Sequence, residues 1–254
     1  MRTKQASSIP TPLTLHALRE RLAAVEHRAH AGASVSTGWG ELDAAFTTGG
    51  LQRGCVHEWL GLASATWHWS PPLGVLLHLV RQSIDAANAA SAPLTVCWIG
   101  RRAWPTAHAL ATADGTLLSR SLFVDAGDAP ARLWVSDLAA RCPSVLVIAD
   151  GSKFDMAASR RLQLAVEAGG WMVHLARPPW EAKEISAATT RWRIARDISP
   201  ANEPRFQIEL LRSKGIRSSH AQDRTFTLQR DSRARLVLVS PPVADRSHAA
   251  KIAG

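Results

Sequence analysis

The chain has 254 residues, 46% of them apolar, which is enough for one large domain with a sizeable core, and no apolar run reaches the roughly 18 residues needed to span a bilayer. Its formal charge is +9, with arginine far outnumbering lysine, which raises the expectation of polyanion contact without specifying the partner. The three cysteines, Cys55, Cys97 and Cys142, lie far apart, so they exclude a disulfide framework or a cysteine zinc site and are expected as small buried side chains.

Residues 1–10 are basic and polar and lack the apolar stretch of a secretory signal, so a cytoplasmic location is expected. Thr14 is placed to cap a helix reaching about His30. In it Leu15, Leu18, Leu22 and Val25 recur at helical spacing as one narrow apolar stripe, a candidate contact for its own domain or a neighbouring molecule. Residues 32–54 are rich in Gly and Thr. A strand is expected over 55–60, a loop over 61–72 and a helix over 73–90. Then come a buried strand over 94–99, a helix over 106–113, a strand over 122–125 and a helix over 129–141. A fully apolar strand over 145–149 ends at Asp150, followed by a helix over 156–168 and a strand over 171–176.

This alternation predicts an α/β fold with a mostly parallel sheet covered by helices. After Pro178-Pro179 the pattern changes to strands over 191–195, 205–211, 225–229 and 235–239, an antiparallel extension of the sheet. The domain reading is an N-terminal arm and helix over 1–31, a core over 32–240 and a flexible tail over 241–254. Ten tryptophans and no tyrosine are present; most are expected in the core and three or four at the surface.

A phosphate loop would follow the first long strand with Gly, four residues, then Gly-Lys-Ser/Thr. Gly61 stands at the first glycine, but Thr66 replaces the second glycine, Trp67 the lysine and His68 the hydroxyl. Thr resists positive φ, Trp carries no charge, and imidazole is a poor magnesium ligand, so ATP binding is expected to be lost. No nucleotide, other cofactor or metal is expected. The His residues are scattered without carboxylates at ligand spacing, and no serine sits in a hydrolase elbow.

The segment Ser36-Thr37-Gly38 with Leu42-Asp43, then Gly49-Gly50-Leu51 and Arg53-Gly54, is similar to the lead into the phosphate loop of RecA recombinases. Val145 to Asp150 resembles RecA's run into its Walker B aspartate, and residues 206–215 and 224–228 resemble its late strands. The match covers about 34–230 and implies a RecA-like core. The departures are equally specific. Ile99-Gly100-Arg101-Arg102 has no carboxylate where RecA carries its catalytic Glu, and the stretches matching RecA's two DNA-gripping loops are shortened.

A degenerate RecA core that opens with Thr37-Gly38-Trp39 and Leu42-Asp43, and later carries Arg205 to Gly215, resembles the ImuA family. That resemblance implies a non-catalytic accessory of damage-inducible (SOS) mutagenic translesion synthesis, acting in the nucleoid. The partners it implies are an inactive Y-family polymerase-like protein (ImuB), an error-prone replicative-type polymerase, and RecA itself. Three alternatives stand beside it: a SulA-like division inhibitor binding FtsZ, an ATPase with an unusual phosphate loop, and a simple DNA-binding module.

The late strands are basic, with Arg191, Arg193, Arg205, Arg212, Lys214 and Arg217. Alternation puts Arg191 and Arg193 on one face, expected to be solvated and able to touch a phosphate backbone weakly or an acidic partner, with Trp192 pointing inward. Arg212 and Lys214 resemble a RecA pair that reaches a neighbour's ATP, a role made void if the nucleotide site is lost.

Overall fold

The computed structural model describes residues 34–63, 68–111, 116–169, 171–198, 204–214, 225–230 and 236–238. The chain divides into two units, Met1–Ala33 and Ser34–Gly254, and every described residue belongs to the second. The Leu15, Leu18 and Leu22 stripe, Arg217, and the tail over 241–254 lie outside the described residues.

The elements in chain order are β1 (Ser34–Val35), α1 (Gly40–Ala45), β2 (Leu51–Gln52), β3 (Cys55–Leu60), β4 (Leu62–Ala63), β5 (Trp69–Ser70) and α2 (Leu73–Ala89). There follow β6 (Thr95–Ile99), α3 (Ala107–Ala111), α4 (Thr116–Ser119), β7 (Ser121–Val124), α5 (Ala129–Ala140), β8 (Val145–Asp150), α6 (Met156–Gly169) and β9 (Met172–Arg177). The last strands are β10 (Thr190–Ile198), β11 (Pro204–Ser213), β12 (Thr225–Arg230) and β13 (Leu236–Leu238).

The opening motif folds on itself around one carboxylate. Asp43 accepts hydrogen bonds from Ser36 Oγ (2.6 Å), the Thr37 amide (2.9 Å) and Thr37 Oγ1 (2.8 Å). Gly38 turns the chain with φ +76°, a conformation that favours glycine. Trp39 then stacks on His78 of α2 at 4.5 Å, and its indole N–H donates to the Leu236 carbonyl. The motif thereby ties the start of the described chain to its last strand.

Among the described residues one nine-stranded sheet dominates, in the order β13-β12-β11-β10-β3-β9-β8-β6-β7. The strands from β10 to β7 are mutually parallel, and β11, β12 and β13 continue antiparallel. β3, β8 and β9 are apolar through most of their length because helices cover both faces, which is why their hydrophobic runs do not alternate. The core on one face joins α2 to Trp59, Val96, Trp98, Ile148 and Trp192. On the other face α5 and α6 pack on Val56, Cys97, Ile99, Val147 and Leu175. α5 starts where it does because Asp128 caps it, its Oδ1 accepting from the Ala131 amide at 2.8 Å.

Chain direction matters for the site. From β6 the chain turns outward to β7, whereas from β8 it turns the other way to β9. The two connections diverge and open a crevice at the carboxyl ends of β6 and β8, the position where open α/β sheets hold ligands.

Three expectations are corrected. Cys55 and Cys97 are buried, but Cys142 is exposed, because it lies just beyond α5 in the turn toward β8. The expected loop over 61–72 contains a small hairpin, β4 paired antiparallel with β5. The bulge between Arg191 and Trp192 and the burial of Arg191 break the solvated basic face, as set out below. Among the described tryptophans, Trp134 and Trp180 are exposed, and Trp39, Trp59, Trp69, Trp98, Trp171 and Trp192 are buried. No helix among the described residues is long and apolar enough to cross a membrane.

Candidate functional site

At Gly61, expected from the sequence to stand where a phosphate loop has its first glycine, the amide donates to the Arg177 carbonyl at 2.8 Å. The β4–β5 hairpin folds back over it. A Cβ at Gly61 would collide with the Ser70 carbonyl oxygen and lie 2.7 Å from Trp69 Cε3. Glycine is needed there for that close approach. Where a phosphate loop would run straight into its helix, Trp69 is buried, and Pro71 and Pro72, which have no N–H to offer, precede α2. His68 is exposed, and Thr66 and Trp67 lie outside the described residues.

Asp150 ends β8 and is 5% exposed. Its Oδ1 accepts from the Ser152 amide at 3.0 Å, and its Oδ2 lies 3.5 Å from Arg102 Nε and 3.9 Å from Arg132 Nε. Arg102 therefore stands beside the aspartate in the stretch where the RecA resemblance calls for a catalytic carboxylate. A magnesium ion at this carboxylate would enter against two guanidiniums, which is electrostatically unfavourable.

Arg132 is the buried anchor of the crevice. Its Nε donates to the Asp150 carbonyl (2.8 Å), Nη1 to the Gly127 carbonyl (2.7 Å), and Nη2 to the Ser152 carbonyl and hydroxyl (both 3.1 Å). Gly100 has φ +80°, and a Cβ there would stand 2.8 Å from Arg132 Cδ, so the glycine both makes the turn and clears the arginine's path. The result is a cleft of about 710 Å³ bounded by residues 100–102, 125–130, 132, 150, 152 and 153.

The basic late strands do not form one free surface. Arg191 is 6% exposed; its Nε lies 2.8 Å from Glu58 Oε2, and its other nitrogens donate to the carbonyls of Glu181, Ala182 and Glu184. The expectation of a solvated Arg191 fails because parallel pairing sets Arg191 beside Glu58 of β3. Arg193 is exposed but paired with Glu209 on β11. Arg205 is half-buried against Gln229, Arg212 donates to the Ser186 carbonyl at 2.6 Å, and Lys214 is exposed at the end of β11. Trp192 does point inward, stacked on Trp59 at 5.3 Å.

Glu58 and Arg177 carry most of the buried charge at the carboxyl ends of β3 and β9. Arg177 Nη1 donates to Glu58 Oε1 at 2.7 Å, Ser186 Oγ donates to the same oxygen at 2.7 Å, and Arg177 also pairs with Glu181. Burial works against the Arg177 charge, but the two glutamates outweigh it and hold its pKa above the usual value. Neither was singled out from the sequence, although Glu58 interrupts an apolar strand and Arg177 ends one, and that is the signal that finds them.

A buried histidine pair lies beside this network. His57 Nδ1 meets the Thr190 hydroxyl at 2.7 Å and its Nε2 meets the Gln52 carbonyl at 3.0 Å, so the neutral ring with hydrogen on Nε2 satisfies both. Burial lowers the pKa of His57 to about 4. His174 accepts from the Trp59 indole at 3.1 Å, and burial, then the neighbouring His57, push its pKa well below the ordinary value. Among the described residues no three His, Cys, Asp or Glu side chains come together to hold a metal ion.

No protein-family model matches the chain. The chain is 32% identical to protein ImuA of Caulobacter vibrioides, in two strains, over 200 aligned residues that cover 72% of this chain and 80% of the relative. With that identity sustained over most of both proteins, the chain belongs to the ImuA family.

Proposed function

We propose that this protein is a non-catalytic accessory of damage-inducible mutagenic translesion DNA synthesis, built on a RecA-like core and working through protein contacts. Membership of the ImuA family is the observation that carries the reading. Six parallel strands with helices on both faces, continued by antiparallel late strands, support the RecA-like core. Two features support the absence of ATP chemistry: the hairpin packed over Gly61, and the guanidiniums of Arg102 and Arg132 beside Asp150.

Exposed apolar side chains support a role in protein contacts. Leu118, Leu122, Trp134 and Leu138 are each more than half exposed, on α4, on the edge strand β7, and one turn apart on α5. The partners in this reading are the ImuB-like inactive polymerase, the error-prone replicative-type polymerase and RecA. Direct DNA contact is secondary, since Arg191 and Arg193 are both engaged by glutamates.

The test is recovery of the tagged protein from its own host after DNA damage, with nuclease treatment. Copurifying polymerase-type partners are the expected result. Recovery of FtsZ in their place would overturn the assignment to translesion synthesis. Turnover of MgATP that disappears in Asp150→Asn would overturn the non-catalytic part.

A further inference from the structure

The crevice between β6 and β8 enters the reading above only through Asp150 and the two guanidiniums beside it, and its lining carries four cations, Arg101, Arg102, Arg132 and Lys153, against three acids. Its three acids are already engaged. Asp125 accepts from Arg101 Nε (2.9 Å) and Nη2 (2.6 Å), Asp128 caps α5, and Asp150 faces Ser152, Arg102 and Arg132. The cations are not used to the same extent. The Lys153 ammonium has no ion-pair partner among the described residues, and its backbone is held out at φ +66° by the Lys153 amide donating to Glu181. Arg102 makes long polar contacts, 3.4 Å to the Trp69 carbonyl and 3.5 Å to Asp150, and its guanidinium lies 5.2 Å from the centre of the Trp69 ring. Arg101 is 77% exposed and spends two nitrogens on one oxygen of Asp125.

What the cleft offers a ligand is therefore solvent-facing donor capacity carried on positive charge. It surrounds a floor that Arg132 holds rigid, at the topological switch point of the sheet. At about 710 Å³ the cleft is within the size range of small-molecule sites and is walled by segments after β6, β7 and β8, none of them the segment after β3 where a phosphate loop would be. The capped amino terminus of α5 is not the anchor, because Asp128 already occupies it.

We infer that this cleft binds a small phosphate-bearing ligand, up to a nucleotide in size, through Arg101, Arg102 and Lys153 and without a divalent metal. Guanidinium and ammonium groups bind phosphate oxygens through charge-assisted hydrogen bonds, so they replace the magnesium that a phosphate loop would require. The inference does not depend on the translesion reading, and either can fail alone.

The experiment is calorimetric titration of the full chain in EDTA with pyrophosphate, then with adenosine diphosphate, each repeated with magnesium in place of EDTA, and separately with a short single-stranded oligonucleotide. Saturable binding of pyrophosphate or the nucleotide is expected, weakened ~10-fold by Lys153→Ala and further by the Lys153→Ala/Arg101→Ala double variant. Both residues are exposed, so unchanged melting temperatures will certify that the variants fold. Three outcomes would overturn the inference: no binding of either phosphate compound at millimolar concentration, binding that appears only with magnesium, or binding that the double variant leaves intact. Binding of the oligonucleotide alone would also overturn it, in favour of a strand-binding surface.

Discussion

Glu58 is completely buried, and its carboxylate is met by Arg177, Arg191 and Ser186. A buried charge of this kind is tolerated only because it is answered on every side; removing one partner strands the other. Histidine works differently in the same layer. His57 has an ordinary pKa of 6.5, and burial lowers it to about 4, so between those values the unfolded chain holds a proton that the folded chain does not. Stability is thus fully present above pH 6.5 and is lost as pH falls toward 4, on the order of 3 kcal/mol for His57 alone. Urea unfolding at pH 7.5 and pH 5 should show about 2 kcal/mol of that loss, and His57→Gln should shrink it while leaving the His174 share. An equal pH dependence in wild type and variant would exclude His57 as the source. The buried apolar runs around these residues were legible in the sequence, as was the inward Trp192. The fate of Arg191 was not, because the acid that captures it lies on β3, distant in the chain.

At the scale of elements, the long helices α2, α5 and α6 and the long strands stand close to where periodicity put them, since each is specified by its own run of side chains, whereas the short helices α1 and α4 were not expected. The β4–β5 hairpin was missed for the opposite reason: its strands are two residues long, and tertiary packing over Gly61 holds them. That packing makes Gly61 sensitive for a structural reason. Gly61→Ala should lower stability by about 1–3 kcal/mol, because the Ser70 backbone has to give way, and should leave nucleotide affinity unchanged. Thermal melting with and without nucleotide measures both. A variant as stable as the wild type would mean the hairpin is not seated on Gly61. The switch-point cleft was also missed, although an arginine on the inward side of α5 with a glycine at the end of β6 marks it.

At the scale of the whole molecule, the sheet has β7 at one border and β13 at the other. Leu122 on β7, Leu118 on α4, and Trp134 and Leu138 on α5 are exposed apolar side chains. If partners dock there, Trp134→Ala with Leu138→Ala should leave stability within about 0.5 kcal/mol, since both side chains are largely solvated, yet cut partner recovery roughly 10-fold. Urea unfolding together with quantitative pull-down checks this, and undiminished recovery from a folded double variant would move the contact elsewhere. Family and fold class were legible because order and spacing along the chain carry them; surfaces were not, because they are assembled from residues far apart in sequence.

The central strand β3 has as its neighbours β9 and β10, which emerge from the ribosome much later: Glu58 waits 119 residues for Arg177, and His57 waits 133 for Thr190. Until then a growing chain exposes an apolar strand with an unanswered glutamate at its centre. Synthesis from the amino end cannot close this sheet piece by piece, and a chain stopped short of Thr190 leaves β3 without its β10 neighbour.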